Sequence, residues 1–233
     1  MSRNLFITGT GTEIGKTYIA GLIVKTLHEA GLDVAYYKAA MSGNKRRPDG
    51  SLIPGDALFV RELSGISQSL ESMCPYVYEN AVSPHLAAKL EGHPVSMEVI
   101  EQTFRAVCHE HDYVVVEGSG GITCPLRFDD EQIQLEDIVR RFHLPSLLVA
   151  DAGLGTINGV VLTYEYMKQK KLPLKGIIIN NFHTGNVMEE DNKHMCEKLT
   201  GLDVLACVSQ GDKMFSELQA EKLSALFADS LSS

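Results

Sequence analysis

Gly9 Thr10 Gly11 Thr12 Glu13 Ile14 Gly15 Lys16 Thr17 lies between the apolar run Leu5 Phe6 Ile7 Thr8 and a stretch of helical character from about Gly15 to Ala30. Small residues let backbone N–H groups approach an anion, and the N-terminus of the following helix adds the positive end of its dipole. Strand, glycine-rich loop and helix in this order form a phosphate cradle. Lys16 is placed to reach the outer phosphates of a nucleotide, and the Thr17 hydroxyl is placed to ligate magnesium. Five residues, not the usual four, separate Gly9 from Gly15, so the loop is a variant of the common pattern.

Working outward, short apolar runs recur along the chain. Strands are expected near Leu5 to Thr8, Asp33 to Ala39, Tyr113 to Glu117, Ser146 to Asp151, Leu174 to Asn180 and Asp203 to Val208. Val114 Val115 Val116 and Ile177 Ile178 Ile179 are apolar throughout, which marks strands covered on both faces. Helices are expected at about Gly15 to Ala30, Ser96 to His109, Thr156 to Gln169, Glu189 to Leu199 and Ser216 to Leu226. The alternation predicts an α/β fold: a doubly wound, mostly parallel sheet with helices on both faces. No linker interrupts it, so residues 1–233 read as one domain. Ser42 to Gly55 lacks periodicity and reads as a long surface loop.

Composition narrows the function. The 233 residues are 44% hydrophobic, enough for a substantial core. No apolar run reaches the roughly 20 residues that span a bilayer, and the N-terminus enters a strand pattern directly, so a cytoplasmic protein is expected. A net charge of -9 argues against nonspecific nucleic-acid binding. The five cysteines are scattered without a C-x-x-C pair, and the eight histidines lack ligand spacing.

Two acids complete the metal chemistry. Glu117 ends an apolar strand at its carboxyl end, where open α/β sheets bind ligands. Asp56 follows the long loop at the expected start of a helix, where it could equally serve as an N-cap. Magnesium takes one or two carboxylates with phosphate oxygens and waters, and Thr17, Asp56 and Glu117 meet that requirement.

In order along the chain, these pieces resemble the dethiobiotin synthetase family. The matching stretches are Gly9 to Thr17, Tyr37 Lys38 with Ser42 Gly43, Gly55 Asp56 Ala57, Ser83 Pro84 His85, Val116 to Gly121, Gly155 to Asn158, and Asn180. The resemblance implies a homodimer that converts 7,8-diaminononanoate, CO2 and ATP to dethiobiotin, ADP and phosphate, through a carbamate and a carbamic–phosphoric mixed anhydride. It implies nucleotide contacts from Gly11, Thr12, Glu13, Ile14, Gly15, Lys16, Thr17, Tyr18 and Glu117, with Asn180 reading the adenine edge. It further implies that Lys38 binds the carbamate and γ-phosphate, that Thr12 donates to substrate or phosphate, and that Ser42 contacts the diamine. Gly155, Thr156, Ile157 and Asn158 of the other subunit would take the substrate's carboxylate. On this reading Lys16, Lys38 and Thr12 are the catalytic groups, and Mg2+ is the cofactor. Gly11 stands where many relatives carry Asp, and Val208 Ser209 Gln210 Gly211 replaces a common Ile-Pro beside the base.

Two other classes share the loop. A P-loop switch ATPase of the partitioning or positioning type would carry an additional lysine near the start of the loop, which Gly9 Thr10 Gly11 lacks, and its activity would be indifferent to a diamine. A related amide-forming enzyme would need a glutaminase domain, for which this length leaves no space.

Overall fold

The computed structural model describes residues 2–229. The elements run in chain order as β1 (Arg3–Gly9), α1 (Lys16–Glu29), β2 (Val34–Tyr37), β3 (Ala40–Met41), α2 (Gly55–Ser64), α3 (Leu70–Met73), β4 (Tyr76–Val77), α4 (Pro84–Glu91) and α5 (Met97–Glu110). They continue as β5 (Tyr113–Glu117), β6 (Pro125–Phe128), β7 (Gln132–Gln134), α6 (Leu135–Arg141), β8 (Ser146–Asp151), α7 (Thr156–Gln169), β9 (Leu174–Asn180), α8 (Val187–Thr200), β10 (Val204–Val208), α9 (Ala220–Ser224) and β11 (Ala228–Asp229).

The central sheet has the order β10-β9-β8-β1-β5-β2, and every neighbouring pair along it is parallel. β8 begins opposite Phe6, and β11 pairs antiparallel with β1 at Arg3 and Asn4. Leu5, Ile7, Val115, Val149 and Ile178 pack on α1 and α2 through Ile19, Leu22, Ile23, Ala57 and Val60. Phe6, Val114 and Val116 pack on the other face against Ile100 and Phe104 of α5 and Ile138 of α6. Strand alternation thus feeds two cores from consecutive residues, which is why the strands are apolar throughout.

All six expected strands occur in this sheet, with one revised end. The run expected from Asp33 to Ala39 stops at Tyr37, because the Lys38 N–H turns away to donate to Met73 O at 2.8 Å. Ala40 and Met41 then pair with β4 in a separate two-stranded sheet. The helix expected over Ser216 to Leu226 contracts to α9. Phe215, Leu218, Leu223 and Phe227 are buried at spacings that imitate a helical face, but the first two are held in irregular chain. The Ser42 to Gly55 loop is tied internally by an antiparallel bridge between Arg46 and Leu52.

β10 carries an irregularity between Val204 and Ala206, and the intervening Leu205 leans over Gly176 of β9. A Cβ at Gly176 would meet Leu205 Cγ at 2.7 Å and Cδ1 at 2.6 Å. Gly176→Ala is therefore expected to cost about 1–3 kcal/mol by overpacking, read as a lower urea midpoint with turnover retained. An unchanged midpoint would show that Leu205 can move aside freely.

Candidate active site

β5 lies between β1 and β2, so the carboxyl ends of these three strands are adjacent. Register does the rest. Tyr37 pairs with Val116, and Ile7 pairs with Glu117, so Lys38 emerges one rung beyond β2 beside Glu117. A cleft of about 680 Å³ opens there, and Thr12, Glu13, Gly15, Lys16, Thr17, Lys38, Ser42, Asp56 and Glu117 line it. Nine residues inferred from sequence thus meet in one place.

The loop before α1 adopts the conformation that its glycines permit. Gly15 has φ of 88° and Glu13 has φ of 62°, both left-handed, and Gly15 caps α1 without a side-chain bond. No acidic side chain occupies the first turn of α1, so the N–H groups and dipole there are available to an anion. A Cβ on Gly15 would come within 2.1 Å of Asn180 Nδ2, so this position needs glycine for space as well as for its φ. The Lys16 ammonium donates to Gly11 O at 2.6 Å. Burial lowers its pKa from the ordinary lysine value, and the nearby Lys38 adds to that, against the raising effect of Glu117.

Lys38 is the electrostatic centre. Its ammonium donates to Asp56 Oδ2 and to Glu117 Oε1, each at 2.6 Å. Burial pulls its pKa down, but the two carboxylates outweigh that and leave it raised, so the group stays charged. Glu117 Oε1 also accepts from Thr17 Oγ1 at 2.8 Å, and Glu117 Oε2 accepts from Tyr36 OH at 2.8 Å. Burial and Glu117 push the Tyr36 phenol well above its ordinary pKa. Asp56 is not the N-cap of α2. Pro54 holds that position and Asp56 is the second helical residue, which turns its carboxylate toward Lys38.

These donors suit magnesium. Thr17, Asp56 and Glu117 offer only hard oxygens, and an ammonium at 2.6 Å from both carboxylates marks a point that attracts positive charge. Among the described residues no group of three or more His, Cys, Asp or Glu is arranged for a metal.

Other expected site residues lie apart from the cleft. Asn180 ends β9 beneath the loop, where its Nδ2 donates to Ile14 O at 3.0 Å while its buried Oδ1 has no partner in the structure. Tyr18 faces the far side of α1, and its hydroxyl donates to Asp212 O. Val208 to Gly211 is closed by Ser209 N donating to Asp212 Oδ2 at 2.8 Å and by Ser209 Oγ donating to Phe182 O at 2.7 Å. Gly155 opens α7 at φ of 90°, followed by Thr156, Ile157 and Asn158, and none of these four lines the cleft. Ser42 does, its hydroxyl donating to Val82 O at 2.6 Å. Sequence reading overlooked Tyr36, which meets Lys38 through their shared partner Glu117.

Among the described residues no helix is long and apolar enough to cross a membrane. A family model described as an AAA domain matches residues 3–217. The ATP-dependent dethiobiotin synthetase BioD of Brachyspira hyodysenteriae (strain ATCC 49526 / WA1) is 46% identical over 224 residues, covering 96% of this chain and 99% of that protein. The protein of the same name from Clostridium botulinum (strain Langeland / NCTC 10281 / Type F) is 43% identical over 229 residues, covering 98% of this chain and all of its own length. Among solved structures, a ParA family ATPase from Chlorobium tepidum TLS superposes with a TM-score of 0.55 at 14% identity, over 96% of each chain. A MinC:MinD cell division protein complex from Aquifex aeolicus gives 0.56 at 13% identity, over 97% of this chain and 86% of that one. The partitioning and division ATPases thus share the fold alone, whereas the synthetases share close to half of all residues from end to end, and the chain belongs to the family of ATP-dependent dethiobiotin synthetases.

Proposed function

We propose that this enzyme, working as one domain per chain in the cytoplasm, uses ATP to close a cyclic urea on 7,8-diaminononanoate with CO2. One substrate amine attacks CO2 and loses a proton, giving a carbamate. A carbamate oxygen then attacks the γ-phosphorus, breaking its bond to the ADP oxygen and forming the mixed anhydride. The neighbouring amine attacks the carbonyl carbon and loses a proton, the C–O bond to phosphate breaks, and dethiobiotin forms with release of phosphate.

The observation that carries this reading is the buried Lys38 ammonium at the junction of the phosphate loop and two carboxylates. A ring-closing synthetase must hold an anionic carbamate beside a triphosphate, and a lysine kept charged in a buried cleft answers that need. Lys16 would draw off charge from the transferring phosphoryl group, while Thr12 would donate to substrate or phosphate and Ser42 would contact the diamine. The loop backbone from Gly11 to Thr17, with Tyr18 behind it, would cradle the triphosphate. Thr17, Asp56 and Glu117 would hold magnesium, which when bound neutralises phosphate charge. The unpartnered Oδ1 of Asn180 supports an adenine contact, since the 6-amino group offers a donor.

Gly155 to Asn158 would bind the substrate's carboxylate in the cleft of a second copy. Their absence from this chain's own cleft supports such a homodimer, as do Leu154 and Leu162 beside them, 90% and 62% exposed.

The test is phosphate release by purified protein with ATP and magnesium, with and without 7,8-diaminononanoate and bicarbonate, following the organic product by mass spectrometry. Release that needs both substrates and gives a product of dethiobiotin mass is expected. ATP hydrolysis indifferent to the diamine would overturn the reading in favour of a switch ATPase.

A further inference from the structure

β2 carries two adjacent tyrosines, both fully buried, that serve different ends. Alternation sends Tyr37 toward α5, where its hydroxyl meets Ile100 O at 3.1 Å and Thr103 Oγ1 at 2.9 Å. Tyr36 points to the opposite face, and its hydroxyl donates to Glu117 Oε2 at 2.8 Å. A tyrosine wanted only for apolar volume would serve as well without its hydroxyl, which is costly to bury unless bonded.

The division of labour on Glu117 is asymmetric. Its side chain is fully buried, and both of its contacts with cleft residues, from Thr17 and Lys38, fall on Oε1. The terminal torsion of a glutamate is soft, so a carboxylate held at one oxygen alone can rotate. Tying Oε2 to Tyr36 removes that freedom and keeps Oε1 turned to the cleft.

Tyr36 is itself braced. β2 is the last strand in the sheet order, so on its outer side no strand pairs with it. There the buried Gln68 side chain takes the place of a neighbouring strand, its Oε1 accepting from Tyr36 N at 2.8 Å and its Nε2 donating to Tyr36 O at 3.0 Å. A chain of fixed contacts therefore runs from Gln68 through Tyr36 to Glu117 Oε1.

We propose that Tyr36 is a positioning residue for the metal-dependent reaction: its phenol fixes Glu117 so that one chosen oxygen, Oε1, is presented to the divalent cation. The proposal rests on the reading of Thr17, Asp56 and Glu117 as the metal ligands. Tyr36 does not line the cleft, so its action passes through Glu117.

The test compares Tyr36→Phe, Tyr37→Phe, Gln68→Ala and Glu117→Gln with the unaltered protein. Mn2+ binding is followed by electron paramagnetic resonance, and the Mg2+ concentration for half-maximal turnover is measured in parallel. Tyr36→Phe is expected to weaken Mn2+ binding about ten- to hundredfold, the usual effect of removing a group that orients a ligand. It should raise the half-saturating Mg2+ by a similar factor, while the rate at saturating Mg2+ largely recovers. Tyr37→Phe loses an equally buried hydroxyl and should leave Mn2+ binding unchanged. A reversibly unfolded fraction would itself raise the apparent dissociation constant, so a melt of each variant checks that it is folded at the assay temperature. Should Tyr36→Phe yield no folded protein, Gln68→Ala is expected to move both readouts in the same direction. Wild-type Mn2+ affinity in Tyr36→Phe, or failing that in Gln68→Ala, beside weak binding by Glu117→Gln would reduce Tyr36 to a packing role and overturn the proposal. Wild-type affinity in Glu117→Gln would overturn the metal reading and this proposal with it.

Discussion

Lys16→Gln is expected to lower phosphate release about 10²- to 10³-fold or more while leaving the melting temperature close to that of the unaltered protein. The loss follows from removing a buried charge that the proposed function aims at developing phosphate charge. The fold should survive because the conformation of the loop depends on Gly15 and on the bond from Thr10 N to Val149 O, not on the lysine ammonium. The ammonium donates to Gly11 O, a contact that water or the amide of glutamine can replace. A folded and fully active variant would remove Lys16 from the chemistry.

Lys38→Met should injure both activity and stability. Turnover is expected to fall at least about 10²-fold, since the positive group proposed to hold the carbamate is lost. Stability should fall by about 3 kcal/mol, because breaking a buried ion pair leaves the remaining charge uncompensated. Glu117 carries that penalty, being fully buried, whereas Asp56 is 39% exposed and water screens it. Urea melts with and without Mg2+ check the argument: the cation should restore part of the lost stability by taking up the two freed carboxylates. A midpoint equal to that of the unaltered protein without Mg2+ would show that Glu117 does not depend on Lys38.

Much of this site could be read before any coordinates, and the reasons are local. Gly9 to Thr17 encode their own geometry, because glycine at left-handed φ and a helix start right after a strand leave few alternatives. Glu117 was legible because a charge that closes a run of valines marks the end of a buried strand. Asp56 was ambiguous, since an acid near a helix start caps helices as often as it binds anything. The structure gives the N-cap to Pro54 and sets Asp56 against Lys38. The β6–β7 hairpin and the β3–β4 pair escaped notice because strands of two to four residues carry too few alternations to register. Tyr36 escaped for a different reason. Its role depends on which strand lies beside β2, and pairing order is a property of the whole sheet.

The long loop before Asp56 is closed at its base by one buried side chain. Asn44 accepts from Gly55 N through Oδ1 at 2.8 Å, while its Nδ2 donates to Met41 O at 3.0 Å and Tyr78 O at 2.8 Å. That clasp separates the length of the loop from the placement of Asp56. Residues added or removed around Asp49 and Gly50 change only a closed circuit whose entropic cost grows slowly with length. The segment can therefore be lengthened or trimmed at its tip without moving the acid that follows it.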